Sequence, residues 1–222
     1  MAMDYLDFSL ISPFTCSIIG GTQSGKTNFT LSLIKRRKEV INKPIDKVVY
    51  IYSDYQPIFY DLEKSDPNII FTDNIYDLNN LVQNPCLVII DDHQDIISEN
   101  KDVAKLVSSF FIKKAHHLSA STIVICQNGF ADRFVNIARN SNYVIIFDLL
   151  GDKSILTMKN RQCCPHNPGF LPDAYQKAME LRNYAYLFLD FHPARTYKKY
   201  WARSHLDPVP DCQVYVPRNK TS

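Results

Sequence analysis

Thr15-Cys16-Ser17-Ile18-Ile19-Gly20-Gly21-Thr22-Gln23-Ser24-Gly25-Lys26-Thr27 is the stretch that decides the fold. An apolar run of strand length breaks at a glycine pair, and Gly20 to Thr27 then fits G-x-x-x-x-G-K-[ST]. A buried strand must end, the chain must wrap an anion with its own N–H groups, and a helix must start at once. Gly20 and Gly25 permit backbone conformations and a close approach that a Cβ would block. The helix N-terminus faces the anion with unpaired N–H groups and a favourable dipole. Lys26 supplies a mobile positive charge, and the Thr27 hydroxyl is placed to ligate Mg²⁺. Gly21, Thr22, Gln23 and Ser24 complete a loop expected to hold the phosphates of a nucleotide. A chance match in a turn is the alternative. The apolar strand before the loop and the helix-like Thr27 to Ile34 after it argue against that.

Outward from the loop, strand-like runs alternate with amphipathic stretches. Thr15 to Ile19, Lys47 to Tyr52, Ile69 to Thr72, Leu87 to Ile90, Thr122 to Cys126, Tyr143 to Phe147 and Ala185 to Leu189 read as strands. Most are continuous aliphatic or β-branched runs, which implies strands covered on both faces and a mainly parallel sheet. Helical patterns run from about Lys26 to Lys38, Asp102 to Lys114 and Asp173 to Leu181. The expectation is an α/β fold of the P-loop NTPase kind, a central parallel sheet flanked by helices. The 222 residues divide into an N-terminal arm (1–12), the nucleotide-binding domain (13–190) and a basic C-terminal edge segment and tail (191–222). That last segment holds six Lys/Arg against two acids and three prolines near its end.

Composition bounds the partners. Hydrophobic residues make up 45% and the net charge is +2, so a globular core is expected and a strongly basic nucleic-acid coat is excluded. No apolar run approaches bilayer length, so no membrane is expected, and the acidic start of the chain is unlike a signal peptide. Six cysteines with no Cys-x-x-Cys pair suggest a reducing compartment without structural zinc. Lys35-Arg36-Arg37-Lys38 reads more readily as a solvated helix end than as a DNA patch.

Hydrolysis needs more than a phosphate loop. Leu87-Val88-Ile89-Ile90-Asp91-Asp92 is an apolar strand ending in two acids. Asp91 at the strand tip can order Mg²⁺, and Asp92 can polarise the attacking water as general base. The alternative is an acid capping the next turn. Ile123-Val124-Ile125-Cys126-Gln127-Asn128 is a third strand with a polar end. Strand C-termini of a parallel sheet share the ligand edge, so Gln127 can touch the γ-phosphate or the lytic water, or simply close a turn.

These elements, in this order and spacing, resemble the FtsK/HerA-type P-loop ATPases, and within them the poxvirus-type genome-packaging ATPases of large DNA viruses, virophages, adintoviruses and Polinton elements. The stretches that carry the likeness are Ile19 to Thr27, Val88 to Asp92, Ala115-His116-His117, Thr122 to Asn128, Asn140 to Phe147, Asn160-Arg161-Gln162 and Tyr184 to Asp190. The resemblance implies an ATP-hydrolysing homo-oligomeric ring of five or six subunits. It would drive double-stranded DNA into a capsid through a capsid vertex protein, at the site of virion assembly in a host cell. It also implies an arginine reaching a neighbour's γ-phosphate, for which Arg133, Arg139 and Arg161 are the candidates. Many members of the wider superfamily carry Glu where Asp92 stands. A cellular-type DNA motor or helicase, and a nucleotide-switch assembly factor that moves no DNA, are the alternatives. His116-His117 and the aromatic-basic Thr196 to Arg203 read more readily as a helix end and an edge strand with solvent-facing lysines than as DNA contacts.

Overall fold

The computed structural model describes residues 8–82, 85–114, 119–129, 134–195, 201–207 and 209–217, with 113 and 114 as backbone alone. Strand β1 (Thr15–Ile19) passes through the glycine loop into α1 (Lys26–Lys35) and α2 (Arg37–Val40). Then come β2 (Lys47–Tyr52), α3 (Pro57–Ser65), β3 (Ile69–Thr72), α4 (Leu78–Leu81) and β4 (Cys86–Asp91). Helices α5 (Gln94–Glu99) and α6 (Lys101–Ser109) lead to β5 (Ala120–Cys126), α7 (Phe134–Arg139) and β6 (Tyr143–Ile146). The described chain finishes with α8 (Ser154–Cys163), α9 (Phe170–Met179), β7 (Leu187–Asp190), β8 (Ala202–Arg203) and β9 (Val214–Tyr215).

The strands form one sheet in the order β3-β2-β4-β5-β1-β6-β7-β8-β9. The six from β3 to β6 run parallel, and β7, β8 and β9 add antiparallel. This is the expected α/β architecture. The chain starts at the sheet centre, builds β2 to β5 on one flank of β1, then crosses to β6 on the other. That reversal opens a crevice at the C-terminal end of β1.

Strand composition explains the layering. Along β4, Cys86, Val88 and Ile90 face one apolar layer while Leu87 and Ile89 face the other. In β5, Val124 and Cys126 alternate in the same way with Ile123 and Ile125. Both faces are covered, so the runs carry no polar alternation. The N-terminal segment joins this body: Leu10 is buried and bridges Ile41 in parallel.

Several local expectations change. The first helix stops at Lys35 and resumes at Arg37, because Arg37 turns inward and is 4% exposed. Its guanidinium donates to Ile45 O (2.9 Å), Asp46 O (2.9 Å) and Asp66 Oδ2 (2.6 Å), tying α2 to β2 and α3. The Lys35 to Lys38 run is therefore not a uniformly solvated helix end. Helix α6 gives way to a π turn at Phe110–Lys114, where consecutive Phe110 and Phe111 are both buried. Helix α9 begins at Phe170, with Pro172 inside its first turn, where a missing N–H leaves no bond unmade. In the tail, Arg195 and Arg203 turn inward to Asp190, at 2.8 and 3.7 Å. Thr196 to Tyr200, with both tail lysines of that segment, lies outside the described residues.

Candidate nucleotide site

At the end of β1, Gly20 N donates to Cys126 O (3.3 Å) and Gly21 N to Asp148 O (2.6 Å), so the loop is pinned to the strand ends on both sides. A Cβ on Gly20 would fall 2.6 Å from Phe147 Cβ and 2.8 Å from Ser24 Oγ, so only glycine fits. Gly25 has φ 103° and opens α1 without a side-chain cap. The first N–H groups of α1 therefore keep no intrahelical partner and face the loop's hollow. Ser24 Oγ is buried in the same loop without a hydrogen-bond partner among the described residues. Lys26 Nζ donates to Gly20 O and Gly21 O, both at 2.7 Å. Burial pulls the Lys26 ammonium below its ordinary range, opposed by the nearby charges of Asp92 and Asp91. Thr27 follows in the first turn of α1.

The acids come from β4, two strands away. Asp91 is buried at the tip, level with Tyr52 and Ile125 in register. Burial raises its carboxyl above the ordinary aspartate range. The Tyr50 hydroxyl, donating to Asp91 Oδ2 at 2.5 Å, and Lys26 pull the other way. Asp92 adopts φ 53°, which turns the chain sharply after the strand. Gln127 Nε2 donates to both Asp92 oxygens (3.4 and 3.2 Å), and Thr22 Oγ1 donates to Gln127 Oε1 (3.3 Å). The phosphate loop, the end of β5 and the end of β4 are thus joined through two side-chain contacts. Lys26, Asp91, Asp92 and Gln127 meet at one mouth.

The candidate arginines lie elsewhere. Arg139 is exposed at the end of α7 beside the start of β1: Thr15 Oγ1 donates to Asn140 O, and Lys159 Nζ to Arg139 O. Arg161 is exposed in the last turn of α8, two residues beyond Lys159. Both therefore stand at the strand-start edge, opposite the phosphate loop. Arg133, His116 and His117 lie outside the described residues.

Three supporting residues escaped the sequence reading. Tyr50 supplies the Asp91 hydrogen bond. Gln94 Oε1 accepts from the N–H groups of Gln127 (3.1 Å) and Asn128 (3.3 Å), fixing that turn to α5. Gly129 sits so close to β1 that a Cβ would fall 2.4 Å from Ile19 Cδ1. None carries a local motif; a glycine just past a polar strand end was the one available sign.

No protein-family model and no curated protein matches the chain. Solved structures do. The genome packaging NTPase B204 from Sulfolobus turreted icosahedral virus 2, in complex with AMPPCP, is 13% identical. It superposes with a TM-score of 0.52 over 93% of this chain and 99% of its own. The cytoplasmic domain of the Type VII secretion ATPase EccC from Thermomonospora curvata reaches 0.55 at 14% identity, over 80% of this chain but 24% of its own. The KaiC-like protein PH0186 from Pyrococcus horikoshii OT3 reaches 0.50 at 14% identity, over 92% and 91%. What is shared is the fold: the chain has the α/β fold of P-loop ATPases, of both the packaging-NTPase and the secretion-ATPase kinds.

Proposed function

We propose that the chain is an ATP-hydrolysing double-stranded DNA translocase of the viral genome-packaging type, acting as a homo-oligomeric ring at a capsid vertex in an infected host cell. The observation that carries the ATPase part is the Thr22–Gln127–Asp92 chain beside Lys26 and Asp91. It links the phosphate loop directly to the acid best placed to take a proton from water. Residues Gly20 to Thr27 would wrap the triphosphate. The partnerless Ser24 hydroxyl and the uncapped N–H groups of α1 are donors suited to its oxygens. Thr27 and Asp91 would hold Mg²⁺, which when bound supplies charge neutralisation at the β- and γ-phosphate oxygens. Asp92 acts as the general base. Gln127, touching both loop and base, senses the γ-phosphate.

Arg139 and Arg161 stand at the edge opposite their own phosphate loop, so in such a ring either would act on a nucleotide held by another copy. Arg133 remains a third candidate for that role. Among the described residues no helix is long and apolar enough to cross a membrane. DNA would be held by its phosphates, weakly dependent on sequence and strongly on salt.

The test is the ATPase rate of the full chain with and without long double-stranded DNA, beside a Lys26→Ala control. Stimulation by DNA, with loss of turnover in the control, is the expected result. Hydrolysis indifferent to DNA, with no oligomer at micromolar concentration, would overturn the motor and leave a generic P-loop ATPase. No hydrolysis at all would overturn the enzyme.

A further inference from the structure

The loop orients whatever it binds. Asp91 at the end of β4, Asp92 just after it and Gln127 just after β5 all lie on one flank of β1. A terminal phosphate held near them leaves the rest of the nucleotide to exit on the other flank, toward β6 and β7. There a cleft of ≈ 930 Å³ continues from Gln23 and Ser24 of the loop and runs between the segment after β6, α9 and the turn before β7.

Two side chains in that cleft break ordinary rules. Tyr184 is 69% exposed and has φ 56°; Leu150 is 76% exposed and has φ 54°. Positive φ is disfavoured for bulky residues, and an exposed apolar side chain recovers nothing from the core. Both lie against the phosphate loop. A Cβ on Gly25 would stand 3.2 Å from Tyr184 Cβ and 3.3 Å from its Cδ1, and one on Gly21 would stand 2.3 Å from Leu150 Cδ1. The strained backbone therefore holds an aromatic ring and a branched aliphatic side chain beside the two loop glycines, at the cleft's entrance.

We propose that Tyr184 and Leu150 form an apolar clamp for the nucleobase, with the ring of Tyr184 as the stacking surface. This rests on the phosphate-loop reading given above and extends it to the nucleoside half of the ligand. A flat base has two faces to desolvate and an exposed ring offers a matching one, a contact that tolerates any base. The cleft is also roomy enough for a nucleoside, within the usual range of small-molecule sites.

Isothermal titration of the full chain with ATP and with inorganic tripolyphosphate, in magnesium buffer, tests the clamp. Removing one stacked base contact is worth on the order of tenfold or more in affinity. Tyr184→Ala should weaken ATP by about that factor and leave tripolyphosphate unchanged, while Tyr184→Phe keeps wild-type affinity for both. Leu150→Ala should show the same selectivity with a smaller loss. Both positions are exposed, so the melting temperature should hold. An unchanged ATP affinity in Tyr184→Ala would overturn the clamp. So would equal losses for ATP and tripolyphosphate, which would make Tyr184 a prop for the loop. Wild-type protein that binds both ligands equally well would refute the clamp alone. Wild-type protein that binds neither would refute the phosphate site and the clamp with it.

Discussion

Lys159 on α8 should be a liability that methionine removes. It is 2% exposed, its Nζ donates to Arg139 O at 3.4 Å, and it stands 5.0 Å from the Phe191 ring centroid. No carboxylate pairs with it among the described residues. Burial pulls its ammonium down from 10.5 to about 8. The sign follows from which state holds the proton. Between about pH 8 and 10.5 the unfolded chain keeps it and the folded chain releases it, so stability rises with pH across that window. Below about pH 8 both states are charged and the full penalty is present. At about 1.4 kcal/mol per pH unit that interval amounts to roughly 3 kcal/mol. Lys159→Met keeps the unbranched stem and forfeits the Arg139 bond, worth about 1 kcal/mol. A net gain of about 2 kcal/mol near neutral pH remains, or a melting temperature higher by roughly 4–8 °C for a chain of this size. Thermal unfolding by circular dichroism at about pH 7 and about pH 10 measures it, and the gap between variant and wild type should narrow at the higher pH. ATPase activity should be unaffected, since Lys159 anchors at the edge opposite the phosphate loop. A variant that melts below wild type at neutral pH, or a gap that persists undiminished in alkali, would refute the reasoning.

Two further outcomes follow from the site. Gly25→Ala imposes a Cβ at φ 103° against Tyr184, a strain of about 1–2 kcal/mol. Either the melting temperature falls by several degrees or the loop yields and ATP binds at least about tenfold more weakly; a variant unchanged in both would contradict the cradle. In Asp91→Asn, the raised carboxyl of the wild type matters. A buried acid with elevated affinity for its proton contributes stability in acid and loses it as pH climbs through its folded value. The variant should therefore gain on wild type in urea midpoints as pH rises above the ordinary aspartate range, while its turnover collapses; a gap constant with pH would contradict the assignment.

Much of this could be read in the chain itself. The seven apolar runs lie within two residues of the observed strands β1 to β7, because strands buried on both faces advertise themselves by unbroken aliphatic character. The phosphate loop and the polar strand ends are local patterns, and the parallel order brings Lys26, Asp91, Asp92 and Gln127 to one mouth. What was hidden depends on partners distant in sequence. Arg37 looked solvated because three of its acceptors, Ile45, Asp46 and Asp66, come from later segments. Tyr50 meets Asp91 only once β2 and β4 pair. The positive φ of Tyr184 and Leu150 leaves no trace in residue type. Helices α3, α5, α7 and α8 were not expected; α5 and α7 are six residues each, under two turns, too short for a helical period to show. The two-residue strands β8 and β9 fall below any periodicity.

The loop's hydrogen bonds also constrain how it can respond to a ligand. Lys26 holds Gly20 O and Gly21 O, two neutral acceptors, and a phosphate oxygen would compete for the same ammonium with a full negative charge. The exchange favours the anion and frees two carbonyls at the base of the loop. Thr22 sits one residue beyond Gly21, and its hydroxyl bonds Gln127, which bonds Asp92. Gln127 cannot shift freely, because Gln94 holds the N–H groups of Gln127 and Asn128 from α5. A change of loop shape is therefore passed to the Gln127 side chain, whose carbonyl oxygen accepts from Thr22 while its amide N–H group donates to Asp92. A displacement of Thr22 pulls on the same planar group that holds the acid, so filling the loop and loosening Asp92 are coupled through one amide, the coupling a hydrolytic cycle needs if the acid is to act only when phosphate is in place.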